Sequence, residues 1–151
     1  MSLLEASRGL SLYLKTLEIA LDDNRITFDE ATMLRILGKA LGVSPLDQPD
    51  CIAIAKNEMP SPISDEQDTE WSQREIGDAI TYQALLVAAL DDDEITDDEM
   101  AILDGFRSVI ELREDEHALI AEAIRATATE DEAGVRRLER LDRFLDRNPW
   151  S

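Results

Sequence analysis

Two stretches of this chain, sixty-nine residues apart, are nearly the same sequence. Tyr13 to Glu30 reads YLKTLEIALDDNRITFDE, and Tyr82 to Glu99 reads YQALLVAALDDDEITDDE. Aligned without a gap, the two 18-residue stretches share ten identities, at Tyr13/Tyr82, Leu17/Leu86, Ala20/Ala89, Leu21/Leu90, Asp22/Asp91, Asp23/Asp92, Ile26/Ile95, Thr27/Thr96, Asp29/Asp98 and Glu30/Glu99. Unrelated segments would share about one at the usage rates of common residues. In each stretch an apolar helix runs into a cluster of acids, and a second helix starts at once. Near-identical sequences must solve the same packing problem, so the repeat limits the fold more than composition does.

The flanking sequence extends both copies. Leu3 to Leu21 reads as a helix, with Leu10, Leu14, Leu17 and Leu21 on one stripe. Thr27 with Glu30 forms a capping box for a second helix to about Leu41, with Ala31, Leu34, Leu37 and Leu41 inward and Gly42 as its stop. A third helix is expected within Ser44 to Glu58, starting near Pro49, because proline suits a first turn. Met59 to Glu70, MPSPISDEQDTE, lacks apolar periodicity and reads as a linker. Ser72 with Glu75 opens a helix to about Leu90, apolar on most sides. Thr96 with Glu99 caps the next, where Met100, Leu103, Phe106 and Ile110 match Ala31, Leu34, Leu37 and Leu41. A helix follows from about Glu114 to Ala126. Thr129 with Glu132 caps the last, with Val135, Leu138, Leu141 and Leu145 as its stripe. No useful length alternates with period two, and no strand is expected. The expectation is a single all-α domain over residues 1–151 with about seven helices and two pseudo-symmetric helical hairpins. Repeat one covers about 3–58, the linker about 59–70 and repeat two about 71–148.

Charge sets the function classes. The chain carries 15 basic and 34 acidic residues, a formal charge of −19. Residues 1–70 hold 6 basic and 13 acidic groups, net −7, and residues 71–151 hold 9 and 21, net −12. Such a surface repels phosphate backbones, which argues against nucleic acid, and suits cations or a basic protein surface. No apolar stretch approaches the ~20 residues of a membrane span. The N-terminal residues lack a signal-peptide pattern, and a cytoplasmic protein is expected. Cys51 is the only cysteine and sits in CIAIA, so a buried inert thiol is expected and a cysteine-held zinc is not.

The acids concentrate in LDDNRITFDE and LDDDEITDDE. Hard cations such as Ca²⁺, Mg²⁺ or Mn²⁺ take several oxygen ligands of this kind. An EF-hand register puts Glu30 and Glu99 at the twelfth loop position, but its first and third positions then fall on Ile19 and Leu21, or Ala88 and Leu90. Apolar side chains do not ligate, so a working EF-hand is rejected. A competing reading gives the acids to the turns: Glu30 and Glu99 complete capping boxes, and Asp29 and Asp98 complement the helix dipole. Turn chemistry does not account for the excess at Asp91, Asp92, Asp93, Glu94, Asp97, Asp98 and Glu99. The candidate metal residues are Asp23, Glu30, Asp92 and Glu99, with Asp22, Asp91 and Asp93 as further candidates.

On these residues the chain resembles the TerB-like proteins of the tellurite-resistance group, which include the N-terminal domain of the DjlA co-chaperone. That family repeats a motif close to A-D-G-x-I-x-x-x-E at a helix–helix junction. Asp22 to Glu30 and Asp91 to Glu99 match it, with Asp23 and Asp92 at the motif Asp and Glu30 and Glu99 at the motif Glu. Asp22 and Asp91 replace its Ala, and Asn24 and Asp93 its Gly; Asn and Asp are the residues that best tolerate positive φ after glycine. The resemblance implies an all-helical fold, divalent-cation binding and a role in stress response.

The remaining candidates are weaker. His117 is the only histidine, with no second His or Cys nearby, and is expected to be solvated. No phosphate loop, nucleophile elbow or dinucleotide fingerprint occurs, and no enzyme activity is expected. Arg136, Arg137, Arg140, Arg143 and Arg147 alternate with acids near the C-terminus. They read either as pairs on a solvated face or, at Arg136, Arg140 and Arg143, as a dock for an acidic partner or a neighbouring acidic loop. Trp150 reads as a packing or contact residue. The function read from the sequence is a non-enzymatic acidic helical module that binds divalent cations at its repeated loops; the alternative is a module for a basic protein partner with no ion.

Overall fold

A computed structural model describes residues 4–20, 27–73, 75, 77–91, 96–128 and 130–147. Among them all regular structure is helical: α1 (Arg8–Ala20), α2 (Phe28–Leu41), a 3₁₀ turn (Pro45–Asp47), α3 (Gln48–Ala55), α4 (Asp65–Trp71), α5 (Gly77–Leu90), α6 (Asp97–Val109), α7 (Glu114–Thr127) and α8 (Glu132–Arg147). No helix among the described residues is long and apolar enough to cross a membrane.

The leucine stripe of α1 is the centre of the first hairpin. Leu10, Tyr13, Leu14 and Leu17 are buried against Met33, Leu34 and Leu37 of α2. In the second hairpin Tyr82, Leu85, Leu86 and Leu90 of α5 meet Ile102, Leu103 and Phe106 of α6. The hairpins also pack on each other: α1 touches α6, α2 touches α5, and α2 touches α6. α5 further contacts α7 and α8, which makes it the central helix that its apolar sequence suggests. The crossings are close. A Cβ on Gly9 would lie 2.0 Å from the Leu41 carbonyl oxygen, so α1 and α2 meet there backbone to backbone.

Positions sixty-nine apart repeat local geometry well outside the matched stretches. Gly42 and Glu111 both have positive φ, 82° and 52°. In each case the next amide closes the helix on the same carbonyl: Val43 N–H donates to Gly38 at 2.7 Å, and Leu112 N–H donates to Arg107 at 3.1 Å. Glycine meets that conformation without strain, whereas Glu111 adopts it against its side chain.

Five expectations need correction. The 59–70 stretch is not structureless, because α4 lies within it. Ser64 and Gln67 form a full capping box there, and Asp65 and Glu66 complement the first turn. It has no buried residue, which is why apolar periodicity missed it. Ser72 does not open α5. It ends α4, its hydroxyl donating to the Thr69 carbonyl at 2.8 Å. Asp78 Oδ2 instead accepts from the Glu75 amide at 2.9 Å, and the Glu75 carboxylate lies 2.8 Å from Arg8 Nε. α8 starts at Glu132, later than a Thr129 cap would place it; Thr129 is outside the described residues, and Asp131 Oδ1 accepts from the Gly134 amide at 2.9 Å. Val135 is 49% exposed, and Phe144 replaces it in the core beside Leu141. His117, expected in solvent, is 3% exposed. Cys51 is buried as expected, and burial pushes its thiol up to about 11.

Candidate functional site

The two acidic junctions share one construction at the point where the second helix of each hairpin begins. Thr27 and Thr96 are extended (φ −76°, ψ 169° and φ −78°, ψ 166°), which turns each hydroxyl back over the first turn. Thr27 Oγ1 accepts from the Glu30 amide at 3.2 Å, and Glu30 Oε1 accepts from the Thr27 amide at 3.2 Å. At the other junction the distances are 3.2 Å from Glu99 N to Thr96 Oγ1 and 3.1 Å from Thr96 N to Glu99 Oε1. Glu30 and Glu99 are each 4% exposed. These carboxylates stand in the protein interior at helix N-termini, where the macrodipole favours negative charge.

Asp22, Asp23, Asp92 and Asp93 lie outside the described residues. Asp91 is exposed and accepts a two-pronged hydrogen bond from Arg137, Nε to Oδ1 at 2.7 Å and Nη2 to Oδ2 at 2.8 Å. Arg140 Nη1 donates to the Leu90 carbonyl at 2.8 Å, covering the C-terminal end of α5. The basic face of α8 therefore docks on the chain's own acidic junction. The sequence placed Arg140 in such a dock but joined it to Arg136 and Arg143 rather than Arg137. Helical spacing gave the face, and only the approach of α8 to α5 selects the two arginines. Among the described residues, no three His, Cys, Asp or Glu side chains form a group that could hold a metal ion.

Two further polar constellations were not found from the sequence. Arg8 spans the halves: Nη1 and Nη2 donate to Asp78 Oδ1 and Oδ2 at 2.7 and 2.6 Å, and Nη2 also donates to the Gln73 carbonyl at 2.9 Å. Asp78 is 3% exposed, so this pair is largely desolvated, and its hydrogen bond raises the Arg8 pKa. His117 lies between two rings, 5.9 Å from Tyr82 and 5.8 Å from Phe144 by centroid. The Tyr82 hydroxyl is buried with no hydrogen-bond partner among the described residues. Sixty-nine positions earlier the counterpart of Tyr82 is Tyr13, and that of His117 is Gln48, the half-buried first residue of α3.

Comparison of the chain with family models, with curated proteins and with solved structures finds no match.

Proposed function

We propose that this chain is a non-enzymatic, acidic helical module of the TerB-like kind that takes up divalent cations at its two repeated junctions. The observation that carries the reading is the matched seating of Glu30 and Glu99. Each is 4% exposed, each is fixed by the same capping box, and each ends a run of acids. A carboxylate oriented before the ion arrives loses little freedom on binding, and hard cations prefer such oxygen donors. Asp23 and Asp92 supply the second carboxylate of each site in this reading. A cation would also relieve the mutual repulsion of a chain with formal charge −19.

The test is a thermal melt with and without millimolar Ca²⁺, Mg²⁺ or Mn²⁺ at fixed ionic strength. Binding to the native state alone stabilises by roughly 2.7 kcal/mol at a hundredfold excess over Kd. For a domain of this size that raises Tm by about 5–10 °C for each occupied site. Asp92→Asn with Glu99→Gln should remove about half of the shift, one site of two, and adding Asp23→Asn with Glu30→Gln should remove the rest. Gln also completes a capping box, so the helix start survives the change.

One observation favours a second reading, a module for a basic protein partner. Acidic residues outnumber basic ones 34 to 15, so after every base is paired an acidic excess remains for a cationic protein surface. No shift with any cation, or an equal shift in wild type and variants, moves this reading ahead.

A further inference from the structure

The repeat breaks down along one face of α1. Ser11, Lys15 and Glu18 stand there, and sixty-nine positions on the chain has Ile80, Ala84 and Val87. The end of α3 and the 57–68 segment border this face, and between them lies an open groove of about 580 Å³. That volume suits a small organic ligand. Leu14, Ile54, Met59 and Ile63 give it an apolar wall, and Glu18, Glu58, Asp65 and Asp68 line it with carboxylates. Lys15 is the one cation among the lining residues, and its Nζ lies 3.1 Å from Asp68 Oδ1. Four carboxylates thus face one ammonium.

Ser11 adds an independent sign of a ligand. It lines the groove, it is 1% exposed, and its hydroxyl has no hydrogen-bond partner among the described residues. Helical serines commonly donate to the carbonyl four residues back; Ser11 Oγ does not, although its own amide donates to the Ser7 carbonyl at 3.0 Å. Leaving a buried hydroxyl unsatisfied costs stability, and a groove residue that does so is placed to meet something else. We propose that the groove binds a free aliphatic polyamine. Its methylene stem covers the apolar wall, its ammonium groups meet the carboxylates, and one N–H donates to Ser11 Oγ. A bare divalent ion would leave the apolar wall unused, and an anion would be repelled by the rim. The Lys15–Asp68 pair shows an alkylammonium already seated on one of these carboxylates.

The experiment is calorimetric titration of the full chain with spermidine at constant ionic strength. Wild type should show a saturable site that equal concentrations of Mg²⁺ do not displace. Glu18→Gln with Glu58→Gln should weaken binding by roughly tenfold or more, since charge-assisted hydrogen bonds are lost. Glu122→Gln with Glu130→Gln removes the same charge away from the groove and should leave affinity within about twofold, the screened long-range part of the field. Ser11→Ala should keep or raise Tm, because no bond is lost in the free protein, yet weaken spermidine by roughly threefold to tenfold. This variant carries the test even if a groove double variant fails to fold. The proposal is overturned by absence of saturable binding, by equal weakening in the two acid pairs, by displacement with Mg²⁺, or by a Ser11→Ala chain that binds as wild type does. A blocked tri-lysine peptide that binds more tightly than spermidine overturns the free amine in favour of a basic protein segment.

Discussion

Burial holds the His117 imidazole neutral. Desolvation is the larger cause of its lowered pKa, and the positive charge of Arg107 is the second. The unfolded chain takes up this proton near pH ~6.5, and the folded chain only at lower pH. Between those values the unfolded state holds more protons, so the stability present above the unfolded pKa is lost as pH falls through the folded one. Replacement by glutamine, which cannot titrate in this range, should flatten the fall of Tm on acidification from about pH 7 to 5; the histidine adds at most ~1.4 kcal/mol per pH unit to that slope. Parallel pH profiles for wild type and His117→Gln would remove the imidazole from the account. The sequence hid this residue for a physical reason. His117 follows Asp115 and Glu116 in a polar run, and only the ring faces of Tyr82 and Phe144 reveal an interior position.

At the scale of the elements, the capping boxes show what a local motif can and cannot say. The boxes at Thr27 and Thr96 form as their letters suggest. The one at Ser72 does not, because a distant residue takes its glutamate: Arg8 holds Glu75, and Asp78 supplies the amide acceptor. A four-letter pattern carries no information about a partner sixty-seven residues away. The stripe of α8 slips for a similar reason, since the helix sits on α5 with Leu141 and Phe144 rather than Val135. The acidic junction was legible as a junction, through its repeat, while the α8 arginines that brace it depend on packing. These arginines should differ in weight. Arg140→Met removes a charge-assisted hydrogen bond from the end of α5 and should cost about 1.5–2 kcal/mol in urea unfolding. Arg137→Gln breaks a pair that is 28% and 47% exposed, and should cost only about 0.5 kcal/mol, less at high salt. Costs near zero at both positions would mean that α8 is held by its apolar face alone.

Across the whole molecule, the two hairpins share one core. α1 covers α6 while α2 covers α5, so each hairpin leaves its apolar face open without the other. Neither half should fold alone. A chain cut between Met59 and Ser64 should give two fragments that show little cooperative helix separately and recover it on mixing, read by circular dichroism. Both fragments are strongly acidic, so recovery should speed up with added salt as their repulsion is screened over a Debye length of ~8 Å at physiological strength. A fragment that melts cooperatively by itself would overturn the shared-core account.

The exchange of partners between hairpins has a consequence for how such a chain can arise. A protein of half this length, carrying one hairpin, would face the same exposed apolar surface and could cover it only with a second copy of itself. The contact of α1 with α6, and of α2 with α5, would then be one self-complementary patch used twice, the geometry of a two-fold homodimer. Fusing two such subunits into one polypeptide frees each copy to diverge. In the present chain that divergence is visible at Gly42 against Glu111, at Gln48 against His117 and at Ser11 against Ile80. A symmetric dimer must carry every feature on both subunits. A duplicated chain can keep its acidic junctions twice and set a groove into one half alone.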